Sequence, residues 1–238
     1  MSYRAGLVFH PTPAQSYYFS FGTSFNPSAE ALALAMNNAD TAPEKNRNFE
    51  VGAKIGLFND AMSLQGALFR LEKTNARTVD PATLLQVLDG KQRVQGFELG
   101  VAGRPLPRLN LFAGYTYLDS KILEANDVQN NVSIEGKQTQ NTPRHSATFW
   151  TAYDIGDQWQ VGTGVLYVGE RFANTSNTNR VPETIRWDAT VAYQLNRNVQ
   201  LRLNTINLTD ELYFEGVHPS HVIPGPGRTF VLSGNFRY

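Results

Sequence analysis

Cysteine is absent from the 238 residues, which removes disulfides, thiol nucleophiles and zinc–thiolate sites. Its absence is compatible with exposure to a bacterial periplasm. Charge is sparse and balanced: Lys+Arg 21 against Asp+Glu 21, together 18% of the chain, so nucleic acid is not expected as the main partner. Long hydrophobic runs are missing too. None approaches the roughly 18 apolar residues of a transmembrane helix. That excludes a helical span and leaves a membrane barrel open, because each barrel strand needs only about ten alternating residues. Nor does a basic segment followed by an apolar one precede the first strand pattern, which starts at Met1-Ser2-Tyr3-Arg4. An export signal is therefore expected upstream of this sequence, or the chain is a fragment.

What is present favours strands and tight turns: aromatics reach 11% and glycines number 19. The last stretch, Gly227 to Tyr238, organises the reading. Phe230, Leu232, Gly234, Phe236 and Tyr238 fall on alternate positions, interleaved with Thr229, Val231, Ser233, Asn235 and Arg237. Successive strand residues point to opposite faces, so one face is apolar with aromatic ends and the other mostly polar. A terminal strand with apolar residues outside and polar residues inside suits an outer-membrane barrel. Phe230, Leu232, Phe236 and Tyr238 are the residues expected to form the signal read by the barrel assembly machinery.

The same alternation recurs along the chain. Tyr3 to Phe9 turns at Pro11-Thr12-Pro13-Ala14 into Tyr17 to Phe25, and a polar segment follows from about Asn26 to Arg47. Within that segment Ala29 to Met36 is read as a short helix. Phe49 to Leu57 turns at Asn59-Asp60 into Met62 to Lys73, where the pattern blurs at Leu68-Phe69-Arg70-Leu71 and a bulge or phase change is expected. A polar loop is read from about Thr74 to Lys91, followed by Phe97–Val101, Leu111–Tyr117, Ala147–Tyr153, Trp159–Tyr167, Ile185–Leu195 and Val199–Leu203. Tyr17, Tyr153 and Trp159 sit beside short turns, where an interfacial aromatic girdle belongs. About eleven strands with short turns alternating with long loops predict an all-β, antiparallel outer-membrane barrel segment. The short turns would be periplasmic and the long loops extracellular. An odd count makes the first and last strands run the same way, so they cannot close on each other antiparallel.

Two stretches carry a family resemblance. Leu203-Asn204-Thr205-Ile206-Asn207-Leu208-Thr209-Asp210-Glu211-Leu212-Tyr213-Phe214, with Pro226-Gly227-Arg228-Thr229-Phe230 and the terminal Phe236-Arg237-Tyr238, resembles the C-terminal end of TonB-dependent receptors. Tyr18 to Glu30 is similar to siderophore receptors of the catecholate-type branch. The resemblance implies a 22-stranded barrel with an N-terminal plug, importing ferric siderophores with energy coupled through TonB. Residues 1–238 would then be the C-terminal portion of such a barrel, without plug or signal peptide and not transport-competent alone. It also implies outer-membrane lipid around the barrel, contact with TonB only through the absent plug, and no cofactor beyond the iron that arrives chelated.

Ferric catecholates are large and anionic, so arginines and aromatics near the outer mouth are the candidate ligand contacts. Phe25, Arg77, Arg144, Arg171, Phe172, Arg180 and Tyr213 lie at or near strand–loop junctions on that side. Solvated loop charge and interfacial aromatics remain the alternative for each taken singly. His218 and His221 are three apart, yet no carboxylate or cysteine cluster accompanies them, and they are read as loop histidines rather than a metal pair. Glu50, Lys54, Glu98, Arg186 and Asp188 are read as networks along a watered wall. The Asn-x-Ser/Thr matches at Asn131, Asn174 and Asn207 carry no glycosylation meaning here, and no catalytic spacing stands out. A simple pore or adhesin-like barrel and a soluble all-β binding module are the competing readings. Exported behind a signal peptide, the chain is expected to partition with outer membrane or to precipitate; a sharp detergent-free monomer in ultracentrifugation would contradict the membrane reading.

Overall fold

A computed structural model describes residues 1–26, 43–79, 86–129, 132–218 and 221–237. Eleven long strands form one antiparallel sheet: β1 Arg4–Thr12, β2 Gln15–Asn26, β3 Glu44–Leu57, β4 Met62–Val79, β5 Gln86–Leu106, β6 Leu109–Glu124, β9 His145–Ile155, β10 Trp159–Val168, β13 Thr184–Gln194, β14 Val199–Ile206 and β17 Thr229–Phe236. Three small hairpins rise from the loops between them: β7 Val128–Gln129 with β8 Val132–Ser133, β11 Arg171–Phe172 with β12 Arg180–Val181, and β15 Phe214–His218 with β16 His221–Pro224. Each long strand pairs with the next long strand in the chain, an up-and-down order without crossovers.

The eleven strands are those the alternation predicts, and the register explains why. Val161, Val191, Leu203 and Leu232 stand opposite one another on one face. That face is apolar and uncovered: Leu203 is 41% and Leu232 73% exposed. The other face of the same strands carries Thr190 and Ala192, both buried. A soluble sheet hides its apolar face; this one hides its polar face, the arrangement a bilayer selects. Trp159 and Tyr193 pack at 4.5 Å near the short turns. At the other end of the sheet, Tyr115 and His145 share a 2.7 Å hydrogen bond.

Short turns close by local chemistry. The Asn196 side-chain oxygen accepts the amides of Asn198 and Val199 at 2.9 and 3.0 Å, fixing the β13–β14 turn. Phe58, Asn59 and Asp60 all have left-handed φ, which closes β3–β4.

One expectation is corrected and another is narrowed. The polar loop read from Thr74 to Lys91 is mostly strand, with β4 continuing to Val79 and β5 starting at Gln86. The blur at Leu68–Leu71 is not a bulge, because β3 and β4 pair without interruption from Leu57↔Met62 to Lys45↔Thr74; the alternative, a change of phase, is present as a reversal of which face is apolar. What changes there is the chemistry of the faces. Up to the pair Val51↔Leu68 the uncovered face is apolar; from Phe49↔Arg70 upward the same face carries Arg47, Arg70, Glu72 and Arg93, while Leu71 and Val94 take the opposite face. The irregularities lie higher, around Ala76 in the β4–β5 pairing. The helix read over Ala29–Met36 and the terminal Tyr238 lie outside the described residues.

β1 and β17 are the edges of the sheet and do not pair with each other. Eleven antiparallel strands leave these edges running in the same direction. Leu203→Arg, mid-strand on the apolar face, is expected to destabilise the membrane-inserted barrel by about 2–4 kcal/mol. Ser233→Lys, on the polar face, should stay within about 0.5 kcal/mol, as surface changes do. Urea unfolding in lipid vesicles reads both.

Candidate functional site

The site region is the loop end of the sheet, where three long connections meet: residues 125–144, 169–183 and 207–228. Hydrogen bonds between them make one cluster. Gln138 and Asn177 exchange two bonds: the Asn177 Oδ1 accepts the Gln138 amide at 2.8 Å, and Asn177 Nδ2 donates to the Gln138 carbonyl at 2.9 Å. The Asn141 amide donates to the Phe172 carbonyl at 2.8 Å. Asn141 and Asn177 both hold left-handed backbone, which asparagine tolerates.

Arg171 ties all three connections. Its Nε donates to Asn141 Oδ1 at 3.0 Å and its Nη2 to the Phe214 carbonyl at 2.8 Å. The residue is only 5% exposed, its Nη1 has no acceptor among the described residues, and burial pushes the guanidinium pKa down. Tyr213, 4% exposed, packs beneath Arg186, whose guanidinium lies 5.4 Å from the ring centre. Its hydroxyl donates to Glu215 Oε1 at 3.1 Å and accepts from Arg186 Nη1 at 3.3 Å. Burial pushes the Tyr213 phenol up. Gly225 is required beside it: a Cβ there would fall 2.2 Å from the ring.

Asn207, fully buried, explains the Asn207-to-Asp210 motif. Its Nδ2 donates to the carbonyls of Glu211 and Pro226 at 2.8 and 3.2 Å, and its Oδ1 accepts the Glu211 amide at 2.9 Å. Its own amide donates to Asp188 Oδ1 at 2.8 Å, while Arg186 Nη2 donates to Asp188 Oδ2 at 2.9 Å. Asp210 Oδ1 accepts the Arg228 amide at 2.7 Å. Both ends of the last long loop are thereby fastened to the wall. In the sequence Asn207 reads only as a chance Asn-x-Ser/Thr match, and the signal available was an Asn followed by Asp three residues on, a turn-former pair that the structure shows with left-handed backbone at both residues.

Of the seven candidate ligand residues, three come together. Arg144, Phe172 and Arg180 line one cleft of about 380 Å³ with Gln138, His145, Tyr167, Glu170 and Glu183. Arg180 lies over Phe172 at 5.4 Å and pairs with Glu170 at 2.9 Å, both partners well exposed. Tyr167 donates to Glu183 Oε2 at 2.9 Å. Arg171 and Tyr213 sit in the buried ties described above, Phe25 lies far off on β2 opposite Lys45, and the side chain of Arg77 is outside the described residues. His218 and His221 face each other across the β15–β16 hairpin with rings 4.7 Å apart, and no group of three metal-type ligands forms among the described residues.

The uncovered apolar face, the buried polar face and the up-and-down meander define a segment of an outer-membrane β-barrel wall. Residues 1–208 match the family model "TonB dependent receptor-like, beta-barrel", and the chain belongs to that family. It is 36% identical, over its whole length, to the probable TonB-dependent siderophore receptor PiuA of Acinetobacter baumannii, and covers 34% of that relative. It is 31% identical to the catecholate siderophore receptor Fiu of Escherichia coli K12, covering 33% of it. The crystal structure of PiuA superposes with TM-score 0.91 at 35% identity, all of this chain matching 36% of that one. The closed form of Fiu gives 0.84 at 28% identity, with 99% of this chain matching 34% of that one. The chain thus spans about a third of the length of these relatives.

Arg171→Met is expected to leave the strands protected while hydrogen exchange accelerates in residues 138–144, 171–181 and 211–217. Loss of two charge-assisted bonds from a buried guanidinium corresponds to about 1–3 kcal/mol. Because the Tyr213 phenol is raised, its protonated packing is retained below the ordinary tyrosine range near about 10 and lost as pH rises above it. Exchange in 211–217 should therefore accelerate only on the alkaline side.

Proposed function

We propose that this chain is part of the barrel wall of a receptor that imports a ferric siderophore of the catecholate type, with its loop end facing outward and its short turns facing the periplasm. The cleft shared by Arg144, Phe172 and Arg180 carries the reading. Two guanidinium groups beside an aromatic ring suit an anionic ligand with aromatic rings, through charge-assisted hydrogen bonds and stacking. The likeness to Fiu and PiuA supports the same ligand class. Iron would enter as part of the ligand, held by the siderophore, so the wall needs no metal site of its own.

Transport would require a complement. The free edges of β1 and β17 leave unpaired N–H and C=O groups, at several kcal/mol each in lipid. The complement must supply an odd number of strands whose two outer members run opposite to β1 and β17, together with a plug domain through which TonB acts. Phe230, Leu232 and Phe236 form the exposed apolar row of β17 and, together with Tyr238, which follows in the same sequence alternation, are the residues we assign to recognition by the barrel assembly machinery.

The test is uptake of iron-55 as a ferric catecholate in cells lacking other receptors. With a plug and complementary strands supplied, uptake is expected; Phe172→Ala with Arg180→Ala should lower it by about tenfold, the size of one lost charge-assisted bond. The 238 residues alone should give none. Rescue by this chain alone would overturn the need for a complement, and uptake restricted to a hydroxamate or to cobalamin would overturn the ligand class.

A further inference from the structure

Burying a charge is costly unless an opposite charge goes with it. Three charged residues are buried among those described: Glu44, Glu72 and Arg171. Two of them have their counter-charge. Glu44 accepts from Lys73 Nζ at 3.0 Å. Glu72 accepts from Arg47 and Arg70 at 2.6 and 2.5 Å and is covered by them, while their own side chains stay 50% and 51% exposed. Arg171 has no such partner among the described residues.

Its two acceptors, Asn141 Oδ1 and the Phe214 carbonyl, are both neutral. Carboxylates of the same loops are spent elsewhere. Glu170 pairs with Arg180, Glu183 accepts from Tyr167, Asp210 accepts the Arg228 amide and Glu215 accepts from Tyr213. Burial alone, with no carboxylate opposing it, moves the Arg171 pKa. Nη1 is covered and has no acceptor among the described residues. An unmet buried donor is unfavourable, the more so on a charged group.

We infer that the loop cluster holds a small monovalent anion of the halide class on Arg171 Nη1, enclosed between the three connections. One guanidinium carries one charge, so one monovalent anion neutralises it. The covered position sets the size. An anion of a single atom can be enclosed as the connections settle, whereas a ferric siderophore could reach Nη1 only by parting them. The bonds to Asn141 and Phe214 use Nε and Nη2, so the anion adds to the tie between loops and does not compete with it. Its effect reaches the cleft of Arg144, Phe172 and Arg180, because Phe172 follows Arg171 and its carbonyl accepts the Asn141 amide at 2.8 Å. The inference does not depend on the ligand class proposed for that cleft.

The test uses a receptor carrying these 238 residues together with a plug and complementary strands. Replacing about 0.15 M chloride with gluconate at equal ionic strength should speed hydrogen exchange in residues 138–144, 171–181 and 211–217 by about tenfold, the linkage expected when the anion stands at about ten times its Kd. The long strands should not respond. Bromide should restore slow exchange, and crystals grown in bromide should show anomalous density beside Arg171 Nη1. Asn141→Asp sets a carboxylate against Arg171 Nε where a neutral oxygen stood, supplying the missing charge from within the chain. Aspartate tolerates the left-handed backbone of that position, φ 52°. In this variant slow exchange should persist in gluconate. Arg171→Gln, which removes the charge, should exchange alike in both salts. Equal wild-type exchange in chloride and gluconate would overturn the inference, as would bromide density confined to the protein surface. A chloride effect undiminished in Asn141→Asp would overturn the assignment to Arg171.

Discussion

The backbone ladder is the constraint on which the rest depends. In hydrocarbon every amide and carbonyl must find a partner within the protein, so a sheet is tolerable only if its edges are closed. The meander satisfies this at each internal seam and leaves it unsatisfied at β1 and β17. A second copy does not repair the defect. Each new seam would join β17 of one chain to β1 of the other, and these run the same way. Antiparallel closure needs an odd complement, and the share of the length of PiuA and Fiu that the chain matches leaves room for one.

Much of this was legible in the sequence because period-two alternation survives wherever one face meets lipid and the other meets water. Ile185, Trp187, Val191 and Leu195 against Arg186, Asp188 and Thr190 leave little choice of register, since a slip by one residue would send every side chain to the wrong face. The same rule explains the failure above Leu68. Once β4 and β5 rise past the apolar band, both faces meet water and protein, and the polarity of the alternation reverses: Arg70 and Glu72 outward, Leu71 inward. A reader who tracks only the apolar phase sees a blur and then a loop. The strand is in fact continuous, and the reversal marks the edge of the apolar band.

The loops were less legible, because their order comes from contacts far apart in sequence. Nothing local to Arg171 announces that its acceptors lie at Asn141 and Phe214, 30 and 43 residues away. Asn207 looked like a chance sequon, yet it is among the most buried polar side chains described and holds both ends of the last connection. Its neighbours Asp210 and Tyr213 belong to the stretch that carried the family resemblance. That stretch is recognisable because a long loop returning to a barrel wall needs two fixed anchors, and the anchors are short polar side chains in left-handed turns.

Arginine therefore plays three different parts in one chain, and the acceptors around each guanidinium decide which. Arg171, with two donors committed to distant loops and little exposure, holds structure together. Arg47 and Arg70, sharing a single covered carboxylate, keep half their surface and a net positive charge on the uncovered face. Arg180, exposed, stacked on Phe172 and paired with an equally exposed Glu170, holds a partner whose attraction is screened by water and worth on the order of 0–1 kcal/mol. An anionic ligand that excludes water from that cleft can displace Glu170 at little energetic loss, whereas it could engage Arg171 only by breaking the tie between loops. Exposure and the weakness of the existing partner, more than proximity to the loop end, are what separate a ligand-ready arginine from a structural one.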